Sequence, residues 1–255
     1  MNILAFFAHP DDETMLCGGT LALLAQQGAR IHILIATRGE GGEVGDPPVC
    51  AREVLGEVRE GELRCAVQAL GAQELLLLDY IDPVVGPDNQ LFPFTEDFDL
   101  LVEQLLSAIR ATQADALLCH GVNGEYGHPA HRLAHQAAAR AVALLGAEAP
   151  LFYTIMGTFP ENPYPRLVNV DAPAHLVIDI APLLQQKTQA ALCHRTQHNL
   201  FVRHRSAEAG RLLSIDEVVL PVESLTRVWP PTQPGSLPQD PLAEQLMRSG
   251  LAREV

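Results

Sequence analysis

Asn2-Ile3-Leu4-Ala5-Phe6-Phe7-Ala8-His9-Pro10-Asp11-Asp12-Glu13 runs from unbroken apolar sequence straight into one imidazole and three carboxylates. A run apolar at every position, not at alternate ones, reads as a strand buried on both faces, which is how strands of parallel sheets look. Asn2–Ala8 is therefore expected to be an inner strand with chemistry at its carboxyl end. Working outward, a helix over Met15–Gln27 closes at Gly28, and Ile31–Thr37 is a second strand. A Gly-rich loop, Gly39 to Gly45, leads to a charged amphipathic helix, Arg52–Leu70, that Gly71 ends. Leu75–Leu78 is a third strand and Asp82 to Phe94 a loop. Thr95 to Asp97 cap a helix reaching about Thr112, Ala114–Cys119 is a fourth strand, and the loop Gly121–Gly127 enters an Ala-rich helix, Pro129–Leu145. Apolar strands separated by helices predict an α/β protein, a three-layer sandwich with a mostly parallel sheet and helices on both faces. In such sheets ligands sit beyond the carboxyl ends of the strands, so His9–Glu13, Arg38–Glu43, Asp79–Asp82 and His120–His131 should converge on one rim.

Beyond Pro150 the signals weaken. Leu151–Ile155 and His175–Ile180 read as strands, Leu183–His194 as a helix and Glu217–Arg227 as one more strand. Pro230, Pro231, Pro234, Pro238 and Pro241 disfavour regular structure until a short helix at Leu242–Ser249. Residues 1–200 are expected to form the core, with 201–255 an extension of the same domain carrying a strand and a Pro-rich tail.

Composition removes several classes of function. The 255 residues carry 17 Lys and Arg against 31 Asp and Glu, a net charge of −14. Such a field repels a phosphate backbone, and with no basic cluster to offset it a nucleic-acid partner is not expected. No apolar run approaches the ~18 residues of a membrane span, and no basic segment precedes Met1–Ala8 as in a signal peptide, so no membrane association and a cytoplasmic location are expected. Cys17, Cys50, Cys65, Cys119 and Cys193 are odd in number and lack a Cys-x-x-Cys pair. They are expected to be reduced and mostly buried, neither a disulfide framework nor a thiolate zinc site.

Three adjacent carboxylates at an apolar strand's end repel one another and cost several kcal/mol to desolvate unless hydrogen bonds or a cation compensate. The alternative is a solvated turn in which Asp11 or Asp12 caps the next helix. A second cluster, Tyr126-Gly127-His128-Pro129-Ala130-His131, follows another apolar strand and enters a helix. His128 and His131 are three apart, so both rings can face one side of a first helical turn. Together, His-x-x-Asp and His-x-x-His supply the nitrogen and oxygen donors zinc accepts, and three protein ligands with an open fourth position mark a catalytic site. A His131/His135 pair is a competing geometry.

Ala8–Glu13 resembles the N-terminal signature of the LmbE-like, or PIG-L, family of zinc-dependent N-acetylglucosaminyl deacetylases, and Gly127–His131 resembles that family's second metal motif. Thr37-Arg38-Gly39-Glu40, Arg59-Glu60-Gly61-Glu62, Tyr80-Ile81-Asp82, and Lys187 through His194-Arg195-Thr196-Gln197 resemble family blocks in the same order, so the likeness runs from about residue 2 to about residue 200. The resemblance implies a Rossmann-like sheet and one zinc ion held by His9, Asp12 and His131. It also implies Asp11 as general base, with His128 stabilising the oxyanion or protonating the amine. The implied substrate is a small molecule carrying N-acetylglucosamine, split to acetate and a free amine. A homo-oligomer is implied too, with the Pro-rich tail as an arm that can pack on a neighbour. Where many relatives have Asp between the two histidines, this chain has Ala130, so either another carboxylate such as Glu125 orients the rings or His128 plays a smaller part.

Arg38, Arg59, Asp82 and Tyr126 are the candidate substrate contacts. Glu40 and Glu43 sit in a loop able to close over a ligand, and His120 and His194 can line the rim. Two rival functions remain on the same fold. One is a non-catalytic binding or regulatory protein, for which a general base beside the metal would have no use. The other is a nucleotide-binding Rossmann protein, which needs glycines where this chain has three carboxylates.

Overall fold

The computed structural model describes residues 1–160, 162–232 and 239–255. Five strands, β1 (Asn2–Phe7), β2 (Arg30–Thr37), β3 (Glu74–Tyr80), β4 (Ala116–Cys119) and β5 (Leu151–Ile155), pair in parallel in the order β3-β2-β1-β4-β5. A two-stranded sheet of β6 (Gly157–Thr158) and β7 (Asn169–Pro173) stands apart. The large sheet is completed by β8 (Leu176–Asp179), β9 (Val222–Trp229) and β10 (Ala252–Glu254) in the order β5-β9-β8-β10, each antiparallel to its neighbour. The mostly parallel sandwich is thus observed, with an antiparallel flank built from the second half of the chain.

Strand alternation divides the core into two layers. Ile3, Ala5 and Phe7 of β1 face α1 (Asp12–Gln26) and α2 (Leu55–Leu70), together with the later helices α6 (Leu184–Cys193) and α9 (Pro241–Arg248). Leu4, Phe6 and Ala8 face α3 (Phe98–Thr112) and α5 (Pro129–Leu145). Ala134, Ala137, Ala138 and Ala141 are fully buried along α5, so small side chains let that helix lie close to the sheet. Asp97 caps α3 by accepting the Leu100 amide at 3.1 Å. The remaining helices are the single turn α4 (Gly124–Gly127), α7 (His198–Ala209) and the short α8 (Ile215–Val218).

Helix α1 kinks at Cys17, whose φ of −150° is not helical, and the amides of Gly19 and Thr20 lie just beyond the kink. The Glu223 carboxylate from β9 accepts both, at 2.9 and 2.6 Å, and Lys187 of α6 donates to it at 2.7 Å. Both ionic side chains are buried.

Several expectations need correction. Cys65 of α2 and Cys193 of α6 form a disulfide, leaving Cys17, Cys50 and Cys119 free. Helices α2 and α6 pack side by side and bring together residues 128 apart, which spacing could not reveal. The strand expected at Glu217–Arg227 begins at Val222, because residues 215–218 form α8 under a Ser214/Glu217 capping box. Pro234 and Pro238 of the Pro-rich tail lie outside the described residues. No helix among the described residues is long and apolar enough to cross a membrane.

The chain steps outward from β1 through β2 to β3, then returns to the other side of β1 for β4 and β5. The point where strand order reverses lies between β1 and β4, and the crevice beyond their carboxyl ends is where doubly wound sheets hold ligands.

Candidate metal centre and active site

At the end of β1 the backbone of Asp11 is left-handed, with φ 96°. This conformation sends neighbouring aspartates in different directions. Asp12 opens α1 and folds back so that Oδ2 accepts the His9 amide at 2.9 Å. Its Oδ1 lies 3.3 Å from His131 Nε2, and Oδ2 lies 3.4 Å from His9 Nδ1. Asp11 instead meets Arg59, whose Nη2 donates to Oδ2 at 3.0 Å, while the Asp11 amide donates to Glu13 Oε2 at 2.9 Å.

The segment after β4, from His120 through the first turn of α5, supplies three imidazoles. His131 stacks between His120 and His128, with ring centroids 3.9 and 4.6 Å away, and His9 approaches His128 to 4.8 Å and His131 to 5.4 Å. Donor atoms of Asp12, His120 and His131 lie within 4.8 Å of one another, as do those of His9, His128 and His131. His120 Nε2 already accepts the Ala8 amide at 3.1 Å, and His120 Nδ1 meets Glu125 at 3.0 Å, so this ring has no free lone pair. His131 is different. Its Nδ1 meets the same Glu125 oxygen at 2.7 Å, whereas its buried Nε2 has no hydrogen-bond partner and faces Asp12. A ring held from behind by a carboxylate, with its second nitrogen idle, is the arrangement of a metal-ligating histidine.

Charge agrees with a cation at this place. Burial favours neutral rings, but Asp82 and Asp12 outweigh it and push His9 up to about 9. His131 is likewise raised, against burial, chiefly by Asp12. Burial would raise Asp12, yet His131 and His120 hold it well below the usual carboxylate range. The cluster thus recruits positive charge, and ligand protons are what a metal displaces on binding. Asp11 behaves otherwise: burial lifts it to about 6 although Arg59 opposes the shift. Burial first, then His9 and His131, drives His128 down to about 3, leaving a neutral ring. Because His128 Nδ1 accepts the Ala130 amide at 3.2 Å, its proton is assigned to Nε2.

The other rim residues divide in two. Asp82 approaches His9 Nε2 at 3.2 Å, and its amide donates to Glu40 Oε2 at 3.0 Å, joining two rim loops. Tyr126 is 53% exposed with its ring 5.4 Å from His131, at the open side of the cluster. Arg59, 3% exposed, spends its Nη atoms on Pro10 O, Gly39 O and Asp11, so it lies beneath Asp11, away from the open rim expected of a substrate contact. Arg38 is turned to Glu60 and Asp79, each at 2.6 Å, and ties α2 to the end of β3. Glu43 is pinned by Arg203 and its backbone oxygen by Gln197, which anchors the Gly-rich loop to the second half of the chain. His194 is buried, meeting Glu13 Oε1 at 3.0 Å, and so buttresses the residue that holds the Asp11 amide. His135 turns away from His131 and bonds the His120 carbonyl through Nδ1 at 3.0 Å. Glu125, expected as a carboxylate that could orient the rings in place of residue 130, does so for His131 and also meets His120, while His128 is held by the Ala130 amide.

Fold and cluster define an α/β protein with a candidate metal centre at the switch point of its sheet. The chain belongs to the PIG-L family, described as GlcNAc-PI de-N-acetylase, whose profile matches residues 4–142. It is 32% identical over 237 residues to the 1D-myo-inositol 2-acetamido-2-deoxy-alpha-D-glucopyranoside deacetylase of Rhodococcus opacus, covering 77% of this chain and 81% of the relative. To the protein of the same name from Rhodococcus erythropolis it is 30% identical over 263 residues, covering 87% and 89%. Among solved structures, N,N'-diacetylchitobiose deacetylase from Pyrococcus horikoshii superposes with a TM-score of 0.62 at 18% identity, covering 89% of this chain and 83% of that one. GalB, the 4-carboxy-2-hydroxymuconate hydratase of Pseudomonas putida, gives 0.61 at 22% identity, covering 92% and 99%. At these identities the likeness shows the fold, and a hydratase on the same fold means the reaction must be argued from the site.

Proposed function

We propose that this protein is a metal-dependent N-deacetylase that removes the acetyl group from a small molecule carrying N-acetylglucosamine. The observation that carries the reading is the idle, buried Nε2 of His131 facing Asp12, with His9 alongside. These three residues would hold the ion, and a nitrogen and oxygen set without thiolate suits zinc while admitting Mn, Fe, Co or Ni. Such an ion supplies Lewis acidity, which lowers the pKa of water to about 7 and polarises an amide carbonyl.

The remaining work falls to this chain's side chains. Asp11, poised near neutrality and steered by Arg59, accepts the proton of the attacking water. His128, neutral with its proton on Nε2, serves as a hydrogen-bond donor to the developing oxyanion. A nearby cation would lower its pKa further, so the donor role is favoured over that of a cationic acid. Asp82 can accept sugar hydroxyls, and the half-exposed Tyr126 offers a ring face and a hydroxyl to the glycan. The relatives named as deacetylases of an N-acetylglucosamine-type sugar support this substrate class over a hydratase reaction.

Elemental analysis of the purified protein, combined with acetate release from a panel of N-acetylglucosaminides, tests the proposal. About one zinc or similar ion per chain and acetate from at least one substrate are expected. Full activity in metal-free protein, or metal binding without acetate from any member of the panel, would overturn it.

A further inference from the structure

Glu125 has an unusual backbone for a residue with a side chain, φ 55° and ψ −70°. This lies outside even the small left-handed region, and non-glycine residues persist in such places, at ~1–3 kcal/mol, only when their surroundings hold them. What holds this one comes from the other half of the chain. Asn169, the fully buried first residue of β7, accepts the amides of Asn123 and Glu125 on Oδ1 at 3.0 and 3.3 Å. Its Nδ2 donates to Glu125 Oε1 at 3.2 Å and to the carbonyls of Ile155 and Met156 at 3.0 and 3.4 Å. The amide reaches this place only because residue 121 is glycine: a Cβ there would lie 2.0 Å from Asn169 Cγ.

The consequence is a saturated carboxylate. Oε1 takes the Gly121 amide at 2.9 Å and Asn169 Nδ2, while Oε2 faces Nδ1 of both His131 and His120. Four donors occupy the roughly four lone-pair directions a carboxylate has, so Glu125 can neither rotate nor take up a proton without losing a partner. We propose that Asn169 is a positioning residue: by clamping Glu125 at both backbone and side chain, it fixes His131 and His120 as Nδ1–H tautomers with their Nε2 atoms turned toward Asp12. Glu125 thereby does from behind the ring stack what Ala130 cannot do from within the motif. Asn169 lies outside residues 4–142, so this part of the site is contributed by chain beyond the family profile. The value of the device for metal binding rests on the function proposed above, but the orientation of the rings does not.

Long-range proton–nitrogen correlation on the metal-free protein, taken above the raised pKa of these rings so that each is neutral, reads the imidazole tautomers directly. Nδ1-protonated His131 and His120 are expected, and Nε2-protonated His131 in the unaltered protein would overturn the inference outright. Asn169→Ala should release the clamp, giving mixed or averaged tautomers at both rings, and zinc affinity by chelator competition should weaken by about 10- to 100-fold. Asn169→Asp keeps the shape but sets an acceptor against Glu125 Oε1, and decides the matter should the alanine variant not accumulate folded. A folded variant that retains both tautomers and an unaltered zinc affinity refutes the role. Should the unaltered protein bind no metal while the tautomers still collapse in the variants, the proposed function fails and the positioning role stands.

Discussion

Asp11→Asn separates proton acceptance from metal binding and carries a stability signature of the opposite sign. In the metal-free protein burial lifts Asp11 from its ordinary 3.8 to about 6, net of the Arg59 guanidinium. At about 1.36 kcal/mol per pH unit, that difference is a penalty on the order of 3 kcal/mol for keeping this carboxylate ionised in the fold. A raised carboxylate pKa means that the folded state binds the proton more tightly than the unfolded chain. The penalty is therefore absent below pH 3.8, grows between there and about 6, and is complete above. Asparagine resembles the protonated carboxyl and keeps an oxygen for Arg59 Nη2, so the variant escapes the penalty. At pH 7 and under chelation its Tm should exceed that of the unaltered protein by roughly 6–12 °C, at ~2–4 °C per kcal/mol for a chain of this size, with the gain shrinking toward pH 4. Turnover of the metal-loaded variant should fall by about 10²–10⁴, or ~2.7–5.5 kcal/mol of barrier, with metal content unchanged. Differential scanning fluorimetry across pH, elemental analysis and acetate release measure the three quantities. A variant less stable than its parent at pH 7, emptied of metal, or active within about tenfold of its parent would refute the reasoning.

His9→Ala, Asp12→Ala and His131→Ala should each lose bound metal and turnover together, whereas His128→Ala should keep its metal and lose turnover alone; elemental analysis beside acetate release distinguishes these patterns. Lys187→Met should cost about 3–5 kcal/mol in urea unfolding because it strands the buried Glu223, and the Lys187→Met/Glu223→Gln pair should recover part of the loss. A loss below about 1 kcal/mol would mean that the two amides of α1 satisfy Glu223 alone. Thiol titration in denaturant without reductant should find three reactive cysteines, Cys17, Cys50 and Cys119, and all five only after reduction.

The parallel half of the molecule could be read from sequence because its strands are apolar on both faces, and Leu151–Ile155 and Pro129–Leu145 come out with the expected bounds. The antiparallel flank was legible only in part: β8, α6 and α9 fall on the strand expected at His175–Ile180 and the helices expected at Leu183–His194 and Leu242–Ser249, whereas α7, α8 and β7 were not foreseen. Helix α7 gathers its large apolar residues into the consecutive run Leu200-Phe201-Val202 and buries only Val202, so it shows no helical stripe. Strand β7 holds Asn169, Asp171 and Pro173, residues rare in strands, and its short pairing with β6 is tertiary in origin. The Ser214 and Glu217 spacing did carry a helix signal that the apolar run around it obscured. At the site, strand-end position and His/Asp spacing brought His9, Asp12, His128 and His131 to the rim. The directions of Arg59 and Arg38 were hidden because their partners, Pro10 O, Gly39 O, Glu60 and Asp79, meet them only through the fold. Asn169 offers no local signal at all.

Strand β9 sits between β5 and β8, although it follows both in the chain. A nascent chain can therefore finish its parallel half as far as β5 and must then wait. The open edge of β5 has no neighbour, and β8 has nowhere to dock, until the residues of β9 have left the ribosome and threaded between them. In that interval Phe152, Tyr153 and Ile155 lie along an unpaired edge, the kind that templates association between chains. A ribosome that stalls, or a protease that cuts, before Val222 would leave a species with its candidate metal residues in place and its sheet open, a product for chaperones and not for catalysis.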